Sequence, residues 1–359
     1  MTTSKARTLS VVIPSYNSAP WLPSTLDALA TAVREAAADV EVIVVDDGST
    51  DGSDVVINEL SETFPGELRV LPQENGGRFL ARWAGLEAAS SDLVLLLDSR
   101  VVVAPDSLRY LLSAVAADPR PAGWNGHVHT DPTSPLVGRF WEVPTFVFWG
   151  RYLRDPRPYD LTADTFDSAP KGTGAFLARR DTLRQAFLQA WPEGDARLIS
   201  DDTKILRWIA ENGGIRLDPG FSATYRPRTT VSGFVRHSFD RGTLFVDSYA
   251  GTSPLRSLIL IIAALAPIVA LAAVVWLIVA GWGVLAIGLI AVALILLAAP
   301  TIPAALNRCP RRAVLAYLAY VPIFLVPFWS GLVRGIVIHR SAFFDRTRTA
   351  GPPARKAHS

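Results

Sequence analysis

From Ser257 to Asn307 the chain runs 51 residues without a charged side chain. A helix needs about 20 residues to cross a hydrocarbon core. The run is therefore long enough for two crossings, and Gly281-Trp282-Gly283 divides it. That predicts spans over about 258–280 and 283–303. A third uncharged stretch, Ala313–Val333, contains Pro322 and Pro327. Its prolines and the charge that follows favour a re-entrant or interfacial segment over a third span.

Charge is divided along the chain. Residues 1–256 carry 26 Lys+Arg and 32 Asp+Glu, while residues 257–359 carry 9 and 1. The overall +2 thus hides an acidic N-terminal part and a basic, apolar C-terminal part. An acidic globule argues against nucleic acid as a partner, and a basic apolar tail suits a bilayer with anionic lipids. The N-terminal stretch "MTTSKARTLSVVIPSYN" lacks an apolar run long enough for a signal peptide. The first domain is then expected in the cytoplasm, on the inner or plasma membrane of a multi-pass protein. Arg308, Arg311 and Arg312 fall on the same side under the positive-inside rule, and the uncharged 281–283 turn falls outside. A third span would send Arg340, Arg346, Arg348, Arg355 and Lys356 outside, against that rule. The single cysteine, Cys309, excludes an intrachain disulfide.

Ahead of the apolar part, strand and helix patterns alternate. "LSVVIPSYN", "EVIVVDDGST", "LRVLPQENGG" and "DLVLLLDSR" read as strands that run into polar turns. "WLPSTLDALATAVREAAADV" and "RFLARWAGLEAASS" read as helices. Unbroken Val, Ile and Leu runs between helices predict an α/β fold with a mostly parallel sheet covered on both faces. Ligands of such sheets bind at the carboxyl ends of the strands. Ser15, Tyr16, Asn17, Asp46, Asp47 and Asp98 stand at those ends. An aspartate there can accept from a base edge or a ribose hydroxyl, and Tyr16 offers a stacking face. Asp46, Asp47 and Ser49 can equally cap a turn and the next helix. The stretch 120–170, rich in Trp, Pro and Phe, reads as irregular: an insertion near an acceptor or an apolar face on lipid. "KGTGAFLARRDTL" resumes a strand and helix, and "ISDDTKILRWIAENGG" reads as a capped helix that ends at a Gly pair.

In their order and spacing, "VVIPSYN", "VIVVDDGSTDGS", "ENGGRFLARWAGLEAASSD" and "LVLLLDSRV" resemble the inverting family 2 glycosyltransferases of GT-A, Rossmann-like fold. The resemblance covers roughly residues 8–245, which sets a domain of 1–245 before a membrane domain of 246–359. It implies a nucleotide-sugar donor, with Pro14, Tyr16, Asp46 and Asp47 at the nucleoside, Asn17 in the same turn and Arg82 near the nucleotide. It also implies that Asp98 is the first aspartate of a DxD motif. That motif holds Mg²⁺ or Mn²⁺ against the diphosphate of the leaving group. Here the second carboxylate is replaced by Arg100, which stays protonated and cannot be a ligand. Three readings stand open. Asp98 holds the metal with waters and a distant ligand such as His237; Arg100 replaces the cation by gripping diphosphate; or Arg100 pairs with Asp98 in a degenerate site.

"LISDDTKILRW" matches the place where the family carries an acidic pair, with Asp202 as the base and Asp201 beside it. A base must take the acceptor hydroxyl's proton as that oxygen attacks the anomeric carbon. A helix N-terminus favours the charged carboxylate, although Ser200 or Asp201 can also serve as a cap. Gly172, Thr173 and Gly174 form a loop whose glycines let backbone approach an acceptor or sugar. Arg236, His237 and Arg241 are placed to reach a phosphate or to snorkel at a membrane surface. His127, His129 and Cys309 lack partners at ligand spacing and read as structural.

The expectation is a membrane-anchored enzyme that moves one sugar from a nucleotide donor to a lipid-linked or glycan acceptor at the inner leaflet. The absence of Q-x-x-R-W argues against long polymers. A sugar-phosphate nucleotidyltransferase would need a Gly-rich, basic N-terminal loop, which "IPSYNSAPWL" is not. The alternative is a catalytically impaired relative acting as a membrane scaffold or glycan-export partner.

Overall fold

The structure is a computed structural model that describes residues 8–343 apart from Glu193 and Asp201. The described chain divides into two compact units. One holds the residues up to Asp131 together with Pro156–Arg226, and the other holds Pro132–Asp155 and the residues from Pro227. The second of these units begins again at Pro227, ahead of the boundary expected at residue 245.

The first unit runs β1 (Leu9–Ser15), α1 (Leu22–Ala36), β2 (Val40–Asp46), α2 (Ser53–Ser61), β3 (Glu67–Pro72), α3 (Arg78–Ala88), β4 (Leu93–Leu97), β5 (Val101–Val103), α4 (Ser107–Ala117) and β6 (Gly123–Thr130). After α5 (Glu142–Leu153), which belongs to the other unit, come β7 (Tyr159–Leu161), β8 (Ala175–Arg179), α6 (Arg180–Gln189), α7 (Thr203–Glu211) and β9 (Ile215–Tyr225).

The nine strands form one mixed sheet in the order β3-β2-β1-β4-β8-β6-β9-β5, with β7 on β9. β3, β2, β1 and β4 are parallel, and β8 then enters antiparallel to β4. The parallel half follows from strands apolar on both faces: every residue of β1 and β2 is buried. On one face Val11, Ile13, Val42 and Val44 pack with Leu22, Leu26 and Leu29 of α1. These helix positions recur at helical spacing, so α1 turns one apolar stripe to the sheet. Truncating Leu26, which is 1% exposed, would cost about 2–5 kcal/mol. On the other face Gly85 of α3 meets Val12 and Val45 so closely that a Cβ would collide with both. Both faces are thus covered, and the polar turns after β1, β2 and β4 share one edge.

The stretch read as irregular is more ordered than its composition suggests. Trp124 and Asn125 enter the sheet as part of β6, both buried. The aromatic run that follows forms α5, whose Val143 joins Phe140, Phe234, Tyr317 and Val321 in the core of the second unit. Aromatic and Pro-rich sequence hid a helix whose apolar face packs on other apolar helices.

The second unit adds α8 (Val231–Tyr249), α9 (Pro254–Val279), α10 (Gly283–Ala298), α11 (Thr301–Leu306) and α12 (Arg311–Ile338). Three stretches, Pro254–Val279, Gly283–Leu306 and Arg311–Ile338, are long and apolar enough to cross a membrane. In the third, the prolines do not break the helix. α12 is one helix of 28 residues with Pro322 and Pro327 inside it. Interior prolines are tolerated where neighbouring helices support the backbone. That support comes from α8, where backbone meets backbone at glycines. Gly331 lies on the Phe239 carbonyl, Gly242 on that of Phe328, and a Cβ on Gly335 would stand 2.8 Å from the Thr243 carbonyl. Thr243 Oγ1 also donates to the Gly331 carbonyl at 3.1 Å. The Gly331–Gly335 spacing is the small-residue pattern that lets helices approach closely.

Candidate active site

The turns after β1 and β2 are tied together. Asn17 takes a left-handed backbone (φ 48). Its N–H donates to Ser49 Oγ at 2.9 Å, and its Oδ1 accepts from the Thr50 N–H at 2.8 Å. Asp46 Oδ1 accepts from the Ser49 N–H at 3.1 Å. Tyr16, 53% exposed, stands outside this network. Pro14 lies within β1 opposite Val45.

Asp47 does different work. Its Oδ1 accepts from Gln73 Nε2 at 2.6 Å and the Gly76 N–H at 2.8 Å, and its Oδ2 accepts from the Gly77 N–H at 2.9 Å. The buried carboxylate therefore holds the turn that leads into α3. Gly77 has φ 87, and a Cβ on it would come 2.8 Å from the Arg197 Cα. The 195–198 segment thus rests on the turn Asp47 organises. There Arg197 pairs with Asp195 at 2.7 Å.

α3 carries Arg82 inward. The guanidinium is 1% exposed, and its Nη2 donates to Asp98 Oδ1 at 2.5 Å. Burial pulls Arg82 below its ordinary value; the charge of Asp98 opposes that, Arg78 adds to it, and the charge of Asp202 opposes it. Three residues chosen from distant parts of the sequence, Arg82, Asp98 and Asp202, therefore share one electrostatic cluster.

Asp98 is further fixed through its backbone. Its N–H donates to the Gly174 carbonyl at 2.9 Å. A Cβ on Gly174 would stand 3.0 Å from Asp98 Oδ2, whereas one on Gly172 would meet nothing within 4 Å. Of the two glycines, then, Gly174 is required by Asp98. Thr173 between them is buried. Asn125 accepts from the Gly172 N–H at 3.0 Å and anchors this loop to β6.

Arg100 stands two residues beyond Asp98. Its guanidinium lies 4.2 Å from the centroid of Trp21, within cation–π range. Its carbonyl accepts from the Arg226 N–H at 2.9 Å. Among the described residues no group of three His, Cys, Asp or Glu side chains is placed to hold a metal.

Asp202 is the N-cap residue of α7 but makes no side-chain cap bond. Its Oδ1 instead accepts from Ser200 Oγ at 2.8 Å and Thr203 Oγ1 at 3.0 Å. Two hydroxyls thus orient the carboxylate. Asp201, the other acidic residue of the pair, lies outside the described residues. Arg236, His237 and Arg241 belong to α8 of the second unit. His237 meets Trp141 edge-on with centroids 5.9 Å apart, Arg241 lies 5.7 Å from that ring, and Arg236 is exposed.

Sequence reasoning missed Gln73, Asn125 and Trp21. Gln73 stands in "PQENGG" beside the motif glycines, which was a usable signal. Asn125 and Trp21 act only through tertiary contacts.

The architecture is a mixed α/β domain joined to apolar helices. The sequence model of Glycosyl transferase family 2 matches residues 10–170. An undecaprenyl-phosphate 4-deoxy-4-formamido-L-arabinose transferase of Aeromonas hydrophila is 36% identical over 115 residues, 32% of this chain and 35% of the relative. A validoxylamine A glucosyltransferase of Streptomyces hygroscopicus is 38% identical over 122 residues, 33% of this chain and 28% of the relative. These matches span about a third of the length of either relative. A mannosyltransferase of Pyrobaculum calidifontis, solved with GDP-Man and Mn²⁺, superposes with a TM-score of 0.48 at 20% identity, covering 93% of this chain and 88% of that one.

Proposed function

We propose that the chain is a membrane-anchored glycosyltransferase. It moves a single sugar, with inversion, from a nucleotide-sugar donor to a lipid-linked or glycan acceptor at the inner leaflet. The observation that carries this reading is the cluster in which buried Arg82 pairs with Asp98 and feels the charge of Asp202. Asp98 stands at the end of a central parallel strand, where α/β folds bind ligands. Asp202 opens a neighbouring helix. One carboxylate is thereby assigned to the diphosphate and the other to the acceptor.

The nucleoside occupies the turns after β1 and β2, stacked on exposed Tyr16, with Asp46 and Asn17 shaping the floor. Asp47 supports that floor through Gln73, Gly76 and Gly77. Asp202 accepts the acceptor hydroxyl's proton while that oxygen attacks the anomeric carbon. The bond from that carbon to the diphosphate oxygen breaks, and the opposite-face attack inverts the centre. Ser200 and Thr203 hold the Oδ1 of Asp202 and orient its carboxylate. Lipid-linked acceptance is supported by the name of the Aeromonas relative and by the three apolar helices.

A divalent cation fits this donor set in one way only. Arg82 donates to Asp98 Oδ1, and Asp98 would be the protein residue that holds the ion. Mg²⁺ is commonly held by one or two carboxylates, with substrate phosphates and waters completing the shell. Asp98 suffices for an ion that shares the donor diphosphate, though not for one caged by protein. Such an ion, when bound, would neutralise charge on the leaving nucleoside diphosphate.

The cytoplasmic side is assigned from the Arg308, Arg311 and Arg312 cluster in the turn between the second and third apolar stretches. The test is nucleotide release from the full chain in nanodiscs, with UDP-, GDP- and dTDP-sugars and a polyprenyl phosphate. Turnover with one donor is expected. Neither turnover nor nucleotide binding with any of them overturns the reading and leaves the scaffold alternative.

A further inference from the structure

α5 is seated at a defined place in the second unit. Its Trp149 leaves helical backbone (φ −125, ψ 19). The next residue, Gly150, lies on Asn307, where a Cβ would overlap the carboxamide. Asn307 Nδ2 donates to the Phe146 carbonyl at 3.2 Å. Asn307 belongs to the turn that joins the second apolar stretch, ending at Leu306, to the third, starting at Arg311. When those stretches span, that turn stands at a membrane–water boundary. α5 is then held at the same level by direct contact.

What this surface presents suits that level. Phe148 is 71% exposed, and Ile302 and Leu306 on adjoining α11 are 64% and 74% exposed. The Phe148 ring stands 6.4 Å from that of Trp149. Arg151 and Arg154 on the α5 side, and Arg308, Arg311 and Arg312 in the turn, are all exposed. Against them stands the acid Asp155, while Glu142 is buried on Arg139 at 2.7 Å. Aromatic side chains favour the headgroup level, and arginines there are drawn to anionic lipid.

We propose that Phe148 and Trp149, with Arg151 and Arg154, form a membrane-interface contact that seats α5 in the headgroup layer of an anionic leaflet. The contact makes the Pro132–Asp155 insertion part of the membrane unit, although it is cut out of the sequence of the α/β domain. The proposal rests on the reading that the apolar helices span.

The test is a Phe148→Cys variant of the full chain, carrying an environment-sensitive fluorophore, in nanodiscs of phosphatidylcholine and phosphatidylglycerol. Burial, with the charge of Glu142 adding to it, pushes the Cys309 thiol up to about 12, so the native cysteine does not compete for the label. A Val279→Cys variant, labelled at a position 82% exposed at the end of α9, reports on insertion itself. Lipids with a nitroxide near the headgroup are expected to remove about half or more of the emission at both positions, relative to nitroxide-free discs. Quenching at 279 without quenching at 148 overturns the proposal. No quenching at 279 overturns the spanning reading, and this contact with it. A signal at 148 that is unchanged when phosphatidylglycerol is omitted overturns the part given to Arg151 and Arg154.

Discussion

Arg82 reaches Asp98 from a fully enclosed position: the guanidinium is 1% exposed, the carboxylate 29%, and the bond is 2.5 Å long. The pair is therefore asymmetric. Removing the carboxylate strands a buried charge, while removing the arginine leaves a carboxylate that water can partly reach. Asp98→Ala is expected to destabilise the domain by about 3 kcal/mol or more. Arg82→Met is expected to cost less. Denaturant midpoints of the two variants, followed by tryptophan emission in nanodiscs, check the order. Equal midpoints would mean that Arg82 is not the buried member on which the pair depends.

Asp202 is oriented by Ser200 and Thr203. Asp202→Asn keeps the size and the acceptor oxygen but loses the basicity. Transfer is expected to fall by about 10²–10⁴-fold, with nucleotide affinity nearly unchanged. Calorimetric titration with UDP or GDP beside single-turnover kinetics separates the two. A variant that loses nucleotide binding in parallel would assign Asp202 to the donor.

Gly172 and Gly174 give an internal comparison. A methyl at 174 would press on Asp98 Oδ2 from 3.0 Å, and one at 172 would enter open space. Gly174→Ala should lower kcat by about 10-fold or more, because small displacements of positioned groups carry large penalties. Gly172→Ala should stay near wild type. Similar losses for both would falsify the role given to Gly174.

Most of the parallel half was legible because strands buried on both faces must be apolar throughout, as β1 and β2 are. The aspartates at the strand ends were legible because polar residues stop such strands. Arg100 was not. A guanidinium two positions from an aspartate suggests a pair, but both residues lie in the turn between β4 and β5, where strand alternation does not set side-chain direction. Arg100 met Trp21, 79 positions upstream, and Arg82 took the carboxylate. The helix in the Trp- and Pro-rich insertion was hidden for another reason. Its partners Tyr317 and Val321 lie far along the chain, so no local pattern marks the buried face. The prolines of α12 were over-read, because α8 supports that helix through glycine contacts that single-helix rules do not see.

His127 on β6 gives the fold a pH dependence. Burial first, and then the charge of His129, hold it below its ordinary value. The folded chain stays neutral there where the unfolded chain takes up a proton, so the unfolded state binds more protons below about pH 6.5. Stability is therefore full above that pH and falls as the pH drops through the window towards the lowered folded value. His127→Gln should flatten this acid limb. Apparent melting points of both proteins at about pH 7.5 and about pH 5.5 test it. An unchanged slope in the variant would place the acid sensitivity elsewhere.

The metal question turns on which cation faces the diphosphate. Arg100 is stacked on Trp21 at 4.2 Å, and that contact supplies a structural reason for an arginine at this position. If it is the main one, Arg100→Ala should lose about 0.5–1 kcal/mol of stability and keep most of its turnover. A chelator should then abolish turnover in wild type and variant alike, because Asp98 and the donor phosphates still need a divalent ion. Readdition of Mg²⁺ or Mn²⁺ should restore both. The opposite pattern, chelator-resistant turnover that collapses in Arg100→Ala, would make the guanidinium itself the charge that stabilises the leaving diphosphate. Measuring initial rates of nucleotide release across a chelator titration distinguishes the two, because each assigns the sensitivity to a different group within the same three-residue stretch.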